Sequence, residues 1–134
     1  MTRYAIDPPT LVHLVDAGLR VDPGHQLVAP NSIRSAALEL LLREVQAGQR
    51  TEAAALKAHE RMTGIKLRLL GDRVSRRNAW EIARRCGWDS LGDAEYLSVA
   101  QLQADALVTV DPRLAAAARG TVPVAAVEDL LAPG

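Results

Sequence analysis

Short apolar runs alternate along the whole chain with longer amphipathic segments of helical period. This alternation predicts an α/β domain with a mainly parallel sheet. Tyr4 to Ile6 reads as a first strand, and Pro8-Pro9-Thr10 opens a helix over Leu11 to Leu19, since proline is tolerated in a first turn. Gly18 and the Asp22-Pro23-Gly24 turn end that helix, and Gln26 to Ala29 reads as a second strand. Pro30, Asn31 and Ser32 supply start signals for a helix through Ala47, closed by Gly48. Thr51 caps the next helix, which reaches Met62 before Gly64, and Lys66 to Leu70 is extended. Ser75 starts a helix through Arg85, with Gly87 as its stop signal. Ser90 or Asp89 caps a helix holding Asp93 to Gln103, which leads into the strand Ala106 to Val110. Asp111-Pro112 opens a short alanine-rich helix ending at Gly120, Val122 to Val127 is the last strand, and Glu128 to Leu131 forms a terminal turn.

The 134 residues suit a single domain spanning 1–134, with no internal repeat. Charges interrupt every apolar run well short of the roughly 18 residues of a membrane span. Met1 to Asp7 lacks the pattern of a secretory signal, so a cytoplasmic protein is expected. Cys86 is the only cysteine, which excludes an intramolecular disulfide and an all-cysteine metal site. With no Phe and 3% aromatic residues, the core must be aliphatic. The formal charge is zero, but residues 1–56, 57–85 and 86–134 carry −1, +6 and −5. A basic segment opposite an acidic one suits a polyanion bound beside a cation-loaded carboxylate site, although solvated helix faces explain it equally well.

In parallel α/β sheets, ligand sites form beyond the carboxyl ends of the strands. Asp7 directly follows the first strand and Asp111 follows Leu107-Val108-Thr109-Val110, so both can emerge on one sheet edge. Each also sits at a helix start, where a plain capping role is the simpler alternative. Asp93 adds a third carboxylate in the first turn of the helix before the Asp111 strand. Converging carboxylates repel unless a hard, oxygen-seeking cation sits among them, and Mg²⁺, with Mn²⁺ as a substitute, fits best. His13, His25 and His59 lack the spacing of a zinc site. No phosphate-cradling glycine motif or Gly-x-Ser-x-Gly elbow occurs. Thr109 points to the opposite side of its strand from Val108 and Val110, and its hydroxyl is within reach of a site carboxylate or a metal-bound water. Trp80 and Trp88 read as core or dimer-contact residues, and Arg76, Arg77, Arg84 and Arg85 as candidates for phosphate contact.

These residues resemble the PIN-domain ribonucleases, specifically the VapC-type toxins of bacterial toxin–antitoxin pairs. Tyr4-Ala5-Ile6-Asp7 is similar to the family's opening strand and first acid, and Ala29-Pro30 with the helix after it to its second segment. Gly92 to Ala100 resembles the family's Asp-Ala-x-Tyr-x-x-x-Ala helix, and Val108 to Leu114 its Thr-x-Asp-x-x-Leu segment at the last acid. The resemblance implies a PIN-like three-layer sandwich with helices on both faces of the sheet. It further implies a Mg²⁺-dependent endoribonuclease leaving 5′-phosphate and 3′-hydroxyl ends, with RNA as substrate, a small antitoxin protein as partner, a homodimer, and no membrane association. Asp7, Asp93 and Asp111 would be the metal ligands, with Thr109 beside them.

One position departs from the family pattern. The family has a glutamate two turns into the helix after Ala-Pro, where an ungapped alignment puts Ala36. Glu39 is the only acid nearby, and it is a candidate fourth ligand against the alternative of an exposed pair with Arg43. A degenerate PIN domain that binds RNA or protein without cleaving is therefore the rival reading. A phospho-accepting receiver domain ranks lower, because no lysine follows Lys66.

Overall fold

A computed structural model describes residues 1–133. The elements run β1 (Thr2–Ile6), α1 (Pro8–Asp16), β2 (His25–Pro30), α2 (Ile33–Gln46), α3 (Glu52–Met62), β3 (Arg68–Leu70), α4 (Arg73–Cys86), α5 (Gly92–Gln103), β4 (Ala106–Val108), α6 (Pro112–Ala118) and β5 (Val124–Ala125). A 3₁₀ turn over Val127–Leu130 follows. The five strands form one sheet in the order β3-β2-β1-β4-β5, and every pairing is parallel.

Both faces of the sheet are covered, as an all-parallel sheet requires. Alternate side chains point to opposite faces, so Ile6, Leu27, Ala29 and Val108 meet one core with α1, α2 and α3. Their neighbours Ala5, Val28 and Leu107 meet the other core with α4, α5 and α6. The result is a three-layer α/β sandwich. Its largest fully buried side chains include Leu11, Leu41, Leu97 and Leu107, each contributing about 1.5–3 kcal/mol by burial.

The strands and helices fall where the periodicity puts them, and the differences lie at the ends. β4 stops at Val108 rather than Val110, and the two amides after Thr109 bond side chains instead of a strand: Val110 N–H donates to Thr10 Oγ1 and Asp111 N–H to Thr109 Oγ1. β5 shrinks to two residues for a related reason. Thr121 and Val122 donate back to the Ala118 carbonyl, and Ala126 N–H goes to the Asp129 carboxylate. α4 starts before Ser75, since Asp72 is its cap and accepts from Ser75 N–H at 2.7 Å. α5 begins with no side-chain cap hydrogen bond, and Ser90 Oγ bonds the Gly92 amide instead. Trp80 is not a core residue: it is 57% exposed, whereas Trp88 is half-buried against the second core. Among the described residues, no helix is long and apolar enough to cross a membrane.

Candidate functional site

β1 and β4 are neighbours, while the chain leaving β1 turns the other way to reach β2. The crevice beyond their carboxyl ends is the switch point at which parallel α/β sheets bind ligands. Asp7 stands at the end of β1, and Thr109, Val110 and Asp111 at the end of β4.

Asp7 is 2% exposed, and two hydroxyls hold its carboxylate. Oδ1 accepts from the Thr10 hydroxyl and, as the cap of α1, from Thr10 N–H; Oδ2 accepts from the Thr109 hydroxyl at 2.7 Å. Each hydroxyl accepts in turn from a backbone amide of the β4–α6 connection, Val110 at 3.1 Å to Thr10 and Asp111 at 3.0 Å to Thr109. The buried carboxylate thus fastens the exit of β4 to the exit of β1. Burial pushes the Asp7 carboxyl above the usual range, and the bonds from Thr10 and Thr109 only partly oppose that.

Asp111 is half-buried and caps α6 through Arg113 N–H at 2.9 Å, with the Arg113 guanidinium 3.7 Å from its other oxygen. Asp93 lies in the first turn of α5, as an exposed residue whose carboxyl is raised first by partial burial, then by the charge of Asp111. Arg113 partly offsets that repulsion. Tyr96, three residues after Asp93, is the one α5 side chain that joins the first core, reaching across the sheet edge. It is 5% exposed, and burial and the nearby charges of Asp7, Glu95 and Asp93 push its ionisation far up, opposed in part by the Ser32 hydroxyl.

Glu39 is not brought to these groups. The buried stripe of α2 is Ile33, Ala37 and Leu41; Glu39, two residues beyond Ala37, lies about 200° around the helix. Its carboxylate is 63% exposed and pairs with Arg43 at 3.4 Å. Ala36 is half-buried. Among the described residues, no group of three His, Cys, Asp or Glu side chains stands close enough together to hold a metal ion. The expected four-acid cluster is therefore not assembled: Glu39 faces away, and both oxygens of Asp7 are engaged by threonines.

A smaller donor set remains. Magnesium commonly keeps several waters and uses one or two carboxylates plus substrate oxygens, so Asp93 and Asp111 suffice chemically, with Asp7 in support through Thr109. Three residues of this region were not singled out from sequence: Thr10, Tyr96 and Arg113. The spacing of Asp7 and Thr10 is that of a cap and its third helical residue, and Arg113 sits in the first turn after Asp111-Pro112, so both left a local signal. A cleft of about 510 Å³ lies at the opposite end of the sheet against Met1, His25 and Arg68 and has no part in this arrangement.

No family model matches the chain, and no curated protein matches it. Among solved structures, the chain is similar to PAE2754 from Pyrobaculum aerophilum, known from a crystal structure. The TM-score is 0.71 at 25% identity, over 96% of this chain and 92% of that one. That likeness spans the whole sandwich and agrees with the α/β architecture described above.

Proposed function

We propose that the chain is a metal-dependent ribonuclease of the PIN-domain kind, acting in the crevice between the ends of β1 and β4. The observation that carries this reading is the Asp93–Asp111 pair. Partial burial and then the charge of Asp111 both disfavour ionisation of Asp93 at the sheet's switch point, an arrangement the fold alone does not require. A hard divalent cation held by Asp93 and Asp111 would supply polarisation of the phosphodiester and a lowered pKa for the attacking water. Asp7 fixes the Asp111 backbone through Thr109, which holds that member of the pair in place. Arg113, 87% exposed, is free to turn from Asp111 toward a phosphate oxygen. RNA as substrate, an antitoxin partner and a homodimer rest on the family resemblance.

The test is cleavage of RNA by the purified protein with Mg²⁺, with EDTA, and in the Asp93→Asn variant. Cleavage should vanish on chelation, return with Mg²⁺ or Mn²⁺, and be absent in the variant; activity that survives either change would overturn the reading.

A specific observation also favours the second reading, a PIN domain that binds RNA without cutting. Ala36 stands at the family's glutamate position and Glu39 is turned to solvent, so the acidic set is incomplete. Ala36→Glu separates the two. A gain of Mg²⁺-dependent cleavage from an inactive parent assigns the second reading, and activity already present in the parent excludes it.

A further inference from the structure

The outward face of α4 carries a side chain that packing does not explain. The helix buries Ser75, Ala79, Ile82 and Ala83. At 3.6 residues per turn, Arg73, Arg77, Trp80 and Arg84 fall in one stripe on the other side, and all four are exposed. An indole brings one of the largest apolar payloads of any side chain when buried, yet Trp80 stands 57% open between arginines one turn away on either side. Arg77 has only a solvent-exposed pair with Glu81 at 3.4 Å. Among the described residues, Arg73 and Arg84 form no ion pair. Guanidinium groups that are unpaired or held only by an exposed, easily exchanged ion pair, set beside an exposed aromatic plane, have the two features that bind unpaired nucleic acid: cations for phosphates and a π-face for a base.

We propose that this face of α4 binds single-stranded RNA, with a base stacked on Trp80 and phosphates on either side held by Arg73, Arg77 and Arg84. The choice of RNA rests on the ribonuclease reading above. The stripe is also well placed for it. Arg73 lies in the first turn of α4, which follows the carboxyl end of β3, and the Asn31 amide bonds the Leu70 carbonyl at that same sheet edge. A strand lying along the stripe therefore runs toward the edge that carries Asp7 and Asp111. A second copy of the chain is a poor occupant, because a two-fold contact sets the patch against itself and opposes arginine to arginine. A membrane is also a poor one, since the apolar face of α4 is spent on the core and leaves only Trp80 and Val74 to insert.

The experiment is a titration of tryptophan fluorescence with a short oligouridylate in EDTA, where cleavage does not interfere. The wild-type chain should be quenched, and Trp88→Phe should be quenched equally. Trp80→Leu should lose the quench and bind at least about fivefold more weakly, while Trp80→Phe keeps most of the affinity because it keeps a stacking face. Arg84→Gln should lower the slope of log affinity against log salt by about one. Unchanged oligouridylate affinity in Trp80→Leu overturns the proposal. So does a Trp80→Leu protein that loses only a dimer seen by light scattering, or a wild-type chain that binds anionic vesicles and not RNA. Binding that depends on Trp80 in a chain that never cleaves RNA would sustain this proposal and remove the nuclease, whereas cleavage indifferent to Trp80 and Arg84 would do the reverse.

Discussion

Thr109→Val tests the fastening between the two strand ends, because it removes one hydroxyl and keeps the β-branched shape. Two hydrogen bonds are lost: the one Thr109 donates to Asp7 Oδ2 at 2.7 Å and the one it accepts from Asp111 N–H at 3.0 Å. A bond to a charged group is worth about 1.5–3 kcal/mol and a neutral one about 1 kcal/mol, and the Asp7 oxygen is left without that partner in a buried site. The expected loss is about 2–4 kcal/mol at pH 7, read as a shift in the urea midpoint at unchanged slope. The pH dependence gives a second, sharper check. Asp7 titrates above its ordinary value in the folded chain, so in the wild type its contribution to stability is fully present below the unfolded value of 3.8 and is lost as pH rises through the folded value. Removing a bond that favours the ionised form raises the folded value further. The gap between variant and wild type must then narrow as pH falls through the folded range toward 3.8, since a protonated Asp7 loses only a neutral bond. Thr109→Ser should restore most of the stability at both ends. A loss below about 1 kcal/mol at pH 7, or one that does not narrow as pH falls toward 3.8, would refute the view that Thr109 works through the Asp7 carboxylate.

Asp93→Asn should raise the melting temperature slightly near neutral pH without metal, because it removes a carboxylate that partial burial and Asp111 both disfavour; calorimetry showing a lower melting temperature would contradict that. Mg²⁺ should raise the melting temperature of the wild type more than that of Asp93→Asn, and equal shifts would remove Asp93 from the ligand set. Glu39→Gln should change stability by no more than about 0.5 kcal/mol and leave RNA cleavage untouched, as its pair with Arg43 is exposed; a tenfold loss of rate would return Glu39 to the site. Tyr96→Phe should cost less than about 1 kcal/mol in urea denaturation, because the buried hydroxyl makes no well-formed hydrogen bond and has only the nearby Ser32 hydroxyl to lose; a larger loss would show a firm bond there.

Much of this architecture was readable in the sequence because the determinants are local. Period-two alternation at Ala5 and Ile6, or at Leu107 and Val108, reports directly which sheet face each residue meets. Asp7 and Asp111 could be put on one edge because each follows a strand and caps a helix beginning with proline. The failures share a cause: each depended on rotational phase against neighbours distant in sequence. Glu39 sits within one turn of the expected position, but only the packing of Ile33, Ala37 and Leu41 fixes which way that turn faces. For Trp80, read as core or dimer contact, the core alternative falls because Ala79, Ile82 and Ala83 already fill the contact with α5 and the sheet. Thr10 gave a capping signal, but its bond to the Val110 amide joins residues 100 apart and left no trace in spacing.

The doubly held Asp7 bears on how relatives of this chain should be read. Asp7, Thr10 and Thr109 stitch two strand exits together, so selection on folding alone would keep them in a lineage that had stopped cutting anything. An intact acid at the end of the first strand is therefore poor testimony to catalysis in this architecture. Asp93 is the opposite case, exposed, opposed by its neighbour and bonded to nothing that the fold needs. On the proposed nuclease reading, its presence or loss across a family tree would date the gain or disappearance of the chemistry, while Asp7 would record only the persistence of the scaffold.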